Sequence, residues 1–211
     1  MLVLSFDGTN SYLIELANLD TDNIANYGVT KLNHGVLFLG LHKKKTHRNP
    51  IHGYFFTEII GQNKFEKVKK IKIKGQRQRD LGCPVYVESS NEIIFPMAAN
   101  ATGGRNTDYR YKLFSGYLVG NEIRDIKQLN FCKPHSYYTA PTISSDGLNL
   151  IFQNEKYLFE SKRKTIYKDW SEPKLIEELT PLSPTMPRLI NDSLLTSVSY
   201  THLTLPTIYS V

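Results

Sequence analysis

The chain has 211 residues, 40% of them hydrophobic and 22% charged, with a formal net charge of +6. That balance excludes an intrinsically disordered polymer and permits an anionic partner without requiring one. Its two cysteines, Cys83 and Cys132, lack C-x-x-C spacing, which excludes a structural zinc site built on cysteine.

No apolar run reaches the length of a membrane-spanning helix. The opening Met1-Leu2-Val3-Leu4-Ser5-Phe6-Asp7 lacks the basic and long apolar regions of a signal peptide, so the chain reads either as cytosolic or as part of a longer exported product. Thirteen Tyr and ten Phe favour strands, where aromatic side chains pack across the pleat.

In chain order, residues 2–6 and 11–16 flank Asp7-Gly8-Thr9-Asn10 and predict a hairpin, because Asp-Gly between apolar runs is a strong turn signal. Three longer units follow. They read Tyr27-Gly28-Val29 with Gly35-Val36-Leu37-Phe38, Pro84-Val85-Tyr86 with Glu92-Ile93-Ile94-Phe95, and Pro141-Thr142-Ile143 with Asn149-Leu150-Ile151-Phe152. Phe38, Phe95 and Phe152 are 57 residues apart in each step, and a polar turn joins each pair of runs.

A fixed period means one supersecondary unit copied and stacked, and four short strands per unit without helical periodicity describe a propeller blade. The expected strands lie near 27–32, 35–42, 52–60 and 65–74, then near 83–88, 92–97, 110–118 and 123–129, then near 139–144, 148–153, 156–162 and 170–177. A further unit starts at Met186-Pro187-Arg188-Leu189-Ile190 and continues into Leu194-Leu195.

The predicted fold class is therefore all-β, a β-propeller fragment of four-stranded antiparallel blades. Whole blades span about 27–74, 83–129 and 139–177, with partial ones near 2–16 and 186–198. Closed propellers use about four to eight blades, so residues 1–198 read as an incomplete ring. Residues 199–211 interrupt the pattern, look like a translated sequencing adapter, and carry no function in this reading.

The wording of the third unit is specific. Ala140-Pro141-Thr142-Ile143-Ser144-Ser145-Asp146-Gly147-Leu148-Asn149-Leu150-Ile151-Phe152 resembles the repeat signature of WD40-like propellers of the TolB type, and Asp169-Trp170-Ser171-Glu172-Pro173-Lys174-Leu175 resembles that family's downstream stretch. Residues 113–123 form a weaker copy. The resemblance spans roughly 20–195 and is closest to propellers that accompany OmpA-type domains in Gram-negative envelopes. It implies a non-enzymatic scaffold binding another protein or an envelope component, periplasmic or associated with the outer membrane. The alternative is the propeller portion of a peptidase-associated or glycosidase-like hydrolase.

Candidate chemistry concentrates in the connections between second and third strands, since long loops on one face of a rigid scaffold are where binding sits. The first connection supplies Lys43, Lys44, Lys45, His47 and Arg48; the second supplies Asn100, Gly103, Gly104, Arg105 and Asn106. Gly103-Gly104 could cradle an anion, although a P-loop's Lys-Ser/Thr is missing. Nucleic acid is not the expected partner: Lys70, Lys72 and Lys74 alternate with Ile71 and Ile73 as on a half-buried edge strand, where lysines block edge pairing, and no aromatic residues are interleaved for base stacking.

No cofactor or metal is expected. His42, His47 and His52 recur every five residues, but three lysines and an arginine beside them would repel a dication. Asp20-Thr21-Asp22-Asn23 lacks the Gly and distal Glu of a calcium loop and reads as a turn. No catalytic residue is assigned. Glu88 and Asp146 are the carboxylates a propeller glycosidase could use, yet Asp146 is explained by its turn and Glu88 has no evident partner. Trp170, Phe65 and Ile123, like the three repeated phenylalanines, are expected in the core, and the two thiols are expected packed and unbridged.

Overall fold

A strand apolar at every position after its first must bury both faces, and Glu92-Ile93-Ile94-Phe95-Pro96-Met97-Ala98 does so along its whole length, its leading carboxylate included. The computed structural model describes residues 2–5, 11–14, 24–32, 34–42, 51–61, 64–75, 80–98, 110–182, 184–190, 192 and 194–198. Among them the architecture is all-β, with several antiparallel sheets and a single 3-10 turn at Glu177–Leu182. No helix among the described residues is long and apolar enough to cross a membrane.

A first hairpin pairs β1 (Leu2–Ser5) with β2 (Ser11–Ile14). The first large sheet runs β3 (Ile24–Leu32), β4 (Gly35–His42), β5 (Ile51–Gly61) and β6 (Lys64–Phe65), with β7 (Lys69–Lys70) also on β5; β8 (Lys72–Ile73) follows in the chain. The second joins β9 (Val85–Val87), β10 (Glu92–Ala98), β11 (Tyr111–Val119) and β12 (Glu122–Gln128) as an antiparallel meander. The third repeats it with β13 (Tyr138–Ile143), β14 (Asn149–Asn154), β15 (Tyr157–Lys162) and β16 (Lys174–Leu175), and a last hairpin pairs β17 (Thr185–Ile190) with β18 (Leu194–Val198). The leading strand of each unit touches the next: β9 contacts both β3 and β13, and β13 contacts β17.

The sheets bury one another through two apolar cores. Ile93, Phe95 and Met97 pack with Leu37, Leu39, Tyr54, Phe56 and Ile71 of the first sheet and its trailing segment. Their pleat neighbour Ile94 joins Leu113, Leu129, Phe131, Tyr138, Leu150, Phe152 and Trp170 against the third sheet. The period-two alternation of β10 thus sends successive side chains into different cores.

The three period-57 phenylalanines are each at most 1% exposed and each stands opposite a second phenylalanine in register: Phe38 with Phe55, Phe95 with Phe114, Phe152 with Phe159. All three pairs are stacked, with centroids 5.7, 6.2 and 6.2 Å apart. Offset stacking adds about 0.5–1.5 kcal/mol per pair beyond burial. Phe95 also meets Tyr54 edge-on, and Phe131 stacks on Phe152 at 5.0 Å.

One buried ion pair ties the second sheet to the third. Arg163, just after β15, sends two nitrogens to the two Glu92 carboxylate oxygens at 2.5 and 3.2 Å, with both side chains at most 5% exposed. Arg163 Nε donates to the Gly147 carbonyl at 2.8 Å, and the guanidinium lies 4.4 Å from the Trp170 ring centroid. Gly147 has φ of 73°, and a Cβ there would fall 2.7 Å from Val87 Cγ1, so this turn needs glycine both for its backbone and for the close approach of the sheets.

Three sequence expectations change. The fourth strand of the first unit is not continuous over 65–74. Its pieces β6 and β7 pair with β5, but β8 runs parallel to β12 of the second sheet, with Lys72 N donating to Asn121 O and Lys74 N to Ile123 O, both at 2.9 Å. Burial of Ile71 between the sheets makes the crossing, while Lys70, Lys72 and Lys74 stay exposed as the alternation requires. The fourth strand of the third unit shrinks from 170–177 to Lys174–Leu175, because the Asn130 side chain takes both backbone groups of Trp170 at 2.8 and 3.1 Å. Finally, the thiols are unbridged, but only Cys132 is buried, which pushes its pKa up to about 11; Cys83 is exposed on the irregular approach to β9. Trp170 and Ile123 are in the core as expected, whereas the Phe65 side chain lies outside the described residues.

Two stability outcomes follow from this packing. Phe95→Ala should cost about 3–5 kcal/mol, read as a lowered urea midpoint at unchanged slope. Arg163→Met alone should cost about 3–5 kcal/mol by stranding Glu92, and adding Glu92→Leu should recover most of that loss. A double variant as unstable as the single one would show that the pair is not an isolated charge clamp.

Candidate functional site

The second and third strands of each large sheet turn back at one common end of the stack. β4 ends at His42 and β5 begins at Ile51; β10 ends at Ala98 and β11 begins at Tyr111; β14 and β15 are joined there by Glu155 and Lys156. Hydrogen bonds bring these ends together. Near the start of β5, Tyr54 donates its hydroxyl to Gly82 O at 2.6 Å, while Gly82 N donates to Pro96 O and Ala98 N to Asp80 O, at 2.8 and 2.9 Å.

Every residue expected to bind, namely Lys43, Lys44, Lys45, His47, Arg48, Asn100, Gly103, Gly104, Arg105 and Asn106, lies outside the described residues, within 43–50 and 99–109. The strand ends that carry these segments are described, and they supply a cluster that the sequence reading did not single out. Tyr111, the first residue of β11, donates its hydroxyl to the Asp80 carboxylate and meets the Tyr137 ring edge-on at 5.5 Å. Arg110 donates to His135 O and lies 3.8 Å from Glu155. Lys112, buried behind them, donates to the carbonyls of Lys133, Pro134 (2.8 Å) and Ser136 (2.5 Å), with its ammonium 5.4 Å from the Tyr138 ring centroid. The signal available beforehand was the aromatic-basic run Tyr109-Arg110-Tyr111-Lys112 closing a long loop, with Tyr137-Tyr138 one connection later.

The electrostatics make this rim a set of donors. Burial, and then the hydrogen bond to Asp80, pushes the Tyr111 pKa far above its ordinary value, and burial with Asp80 and Glu155 raises that of Tyr137. Both phenols therefore stay protonated near neutrality and can stack or donate, which suits recognition better than proton transfer.

The carboxylates weighed for catalysis sit at the other end, on the tight turns. Glu88 is exposed in the β9–β10 turn. Asp146 accepts from Ser144 Oγ at 2.5 Å and Leu148 N at 2.9 Å, and those bonds hold its carboxyl below the usual range. His42 and His52 lie one register step apart on β4 and β5, His42 opposite Ile51 and His52 opposite Leu41, and His47 falls outside the described residues. Asp20, Thr21 and Asp22 also fall outside them. No group of three or more His, Cys, Asp or Glu is placed to hold a metal among the described residues.

No protein-family model matches the chain, and no curated protein matches it either. The functional reading rests on the residues themselves.

The tyrosine cluster has a pH signature. Above about pH 10 the unfolded chain releases tyrosine protons that folded Tyr111 retains, so the unfolded state binds fewer protons and stability falls as pH rises. Below that range the contribution is fully present. Tyr111→Phe should flatten this alkaline decline, measured as urea midpoints between about pH 9 and 11. An unchanged slope would mean that Tyr111 is not held protonated in the fold.

Proposed function

We propose that the stacked sheets are successive blades of a WD40-like, TolB-type β-propeller, and that the chain is a non-enzymatic protein- or ligand-binding scaffold of the bacterial cell envelope, in the periplasm or at the outer membrane. Three four-stranded meanders in succession, with leading strands in contact and a phenylalanine pair at each repeat, support the propeller reading. The envelope assignment is supported only by the resemblance of residues 140–152 and 169–175 to that repeat family.

The observation that carries the binding role is the common end of the sheets. Residues 43–50 and 99–109 depart from and return to strand ends brought together through Tyr54, Gly82 and Pro96. The first segment carries Lys43, Lys44, Lys45, His47 and Arg48, the second Arg105, and Tyr111, which begins the strand after the second segment, forms a protonated pair with Tyr137. Cationic loops beside amphipathic rings suit an acidic protein surface or an anionic envelope component, because rim charges steer association and aromatic faces supply contact area.

Charge reversal of Lys43, Lys44, Lys45 and Arg105 to Glu should weaken capture of envelope-extract components by immobilised protein at least about tenfold in low salt, with the thermal unfolding temperature nearly unchanged. Undiminished capture would remove the loop assignment. Glycosidase or peptidase turnover by the chain, lost on Glu88→Gln, would replace the scaffold reading with the hydrolase alternative.

A further inference from the structure

A cleft of about 160 Å³ opens between the second and third sheets, away from the loop-bearing end. Its second-sheet wall is built by the pleat. Leu113 points into the core shared with the third sheet, so Ser115 and Tyr117, two and four residues on, share that face of β11. Lys127 of β12 stands directly opposite Ser115 in register. Between the pairs Ser115–Lys127 and Tyr117–Arg124 lies a β-bulge in which Gly116 opposes both Asp125 and Ile126, and Asp125 takes φ of 51°. A Cβ on Gly116 would fall 2.8 Å from Ile123 Cγ2 and 2.9 Å from Arg124 O, so this bulge requires glycine. The third-sheet wall is the segment 166–170 together with Arg163.

The polar groups turned toward this space are unusual in what they lack. Ser115 is only 3% exposed, lines the cleft, and its hydroxyl has no hydrogen-bond partner among the described residues. A hydroxyl that faces the cleft without a protein partner is left to water or a ligand. Lys127 and Lys168 line the same cleft as exposed ammoniums without an ion pair among the described residues, and the Tyr117 and Tyr167 hydroxyls are likewise without hydrogen bonds there. At the cleft's inner edge the Arg163–Glu92 pair is satisfied by its own contacts together with the Gly147 and Ile166 carbonyls.

We propose that this cleft is a carboxylate-binding site. Ser115, Tyr117, Tyr167, Lys127 and Lys168 can all donate, Asp169 is the one lining carboxylate without a partner among the described residues, and an ionised carboxylate ligand offers only acceptors, about four lone-pair positions on two oxygens. The charged residues lining the cleft are Lys127, Lys168 and Arg163 against Glu92 and Asp169, leaving one surplus positive charge, which suits a single negative charge better than a phosphate dianion. The volume equals that of about five waters and is below the roughly 300 Å³ at which pockets for drug-sized ligands begin. The occupant is therefore a small organic acid or the Asp or Glu side chain of a partner protein. Tyr167, 83% exposed at the rim, is placed to cover the apolar stem of either.

Backbone-amide NMR of the full 211-residue chain at constant ionic strength tests this, with sodium acetate, acetyl-Glu-amide, acetyl-Gln-amide and inorganic phosphate as probes. Saturable shifts at Ser115, Tyr117, Lys127 and residues 166–170 are expected with acetate and acetyl-Glu-amide but not with acetyl-Gln-amide. Binding of acetyl-Glu-amide more than about threefold tighter than acetate marks a protein side chain as the source; parity marks a free acid. Ser115→Ala should weaken binding severalfold. Lys127→Gln with Lys168→Gln, both exposed and therefore harmless to the fold, should weaken it at least about tenfold. Absent or unlocalised shifts, equal response to acetyl-Gln-amide, tighter phosphate binding, or full affinity in the double-lysine variant would each overturn the proposal.

Discussion

A carboxylate at the first position of a strand buried on both faces sets the terms on which the second and third sheets meet. Glu92 begins β10, and among the described residues Arg163, from beyond β15, satisfies its two oxygens. The same guanidinium holds the Gly147 carbonyl of the β13–β14 turn, the Ile166 carbonyl of the following loop and the face of Trp170. One side chain thus joins the start of one sheet to a turn and a loop of the next. Desolvation of two charges offsets much of their attraction, so on this reading the pair sets alignment more than it adds stability. Gly147 makes the alignment possible, since any side chain there would meet Val87.

The other contacts between neighbouring sheets are of the same kind, polar bonds from leading strands and tight turns set around an apolar core. Thr30 Oγ1 donates to Pro84 O at 2.6 Å between the first and second sheets, and Leu189 N donates to Thr142 Oγ1 at 2.9 Å between the third sheet and the last hairpin. The β17–β18 turn adds Asp192, whose carboxylate accepts from Ser145 N at 2.7 Å and from the Ser145 hydroxyl. Each bond fixes the height of one sheet against its neighbour, which apolar packing alone specifies poorly because it is non-directional.

Bulges recur on three of the four leading strands, with β9 pairing to β10 in even register. Gly28 is the extra residue on β3 beside the Phe38 register, Ala140 and Pro141 oppose Phe152, and Met186 and Pro187 form the corresponding irregularity on β17. Ala140 and Met186 adopt φ of 46° and 50°, a conformation costing about 1–3 kcal/mol that persists only when its surroundings impose it. On β3 and β13 the irregularity falls beside the repeated phenylalanine, whereas on β17 it falls opposite Ser197.

The sequence by itself determined what depends on near neighbours. The strands around Phe38, Phe95 and Phe152, the left-handed turn positions Asn91 and Gly147, and the solvent-facing Lys70, Lys72 and Lys74 all follow from pleat alternation and turn chemistry, which act over a few residues. Legibility ended where pairing crosses connections of variable length. The phenylalanine partners lie 17, 19 and 7 residues downstream, so no fixed period exposes them. Glu92 and Arg163 are 71 residues apart, Asp80 and Tyr111 are 31 apart, and nothing local in either member predicts the other. The crossing of residues 69–74 from one sheet to the next was hidden because the alternation stays the same whichever strand lies alongside. Tertiary structure decided these points, and with them the convergence of Ser115, Lys127 and Lys168 on one cleft, because a through-space contact depends on how whole sheets stack and not on the spacing of residues along the chain.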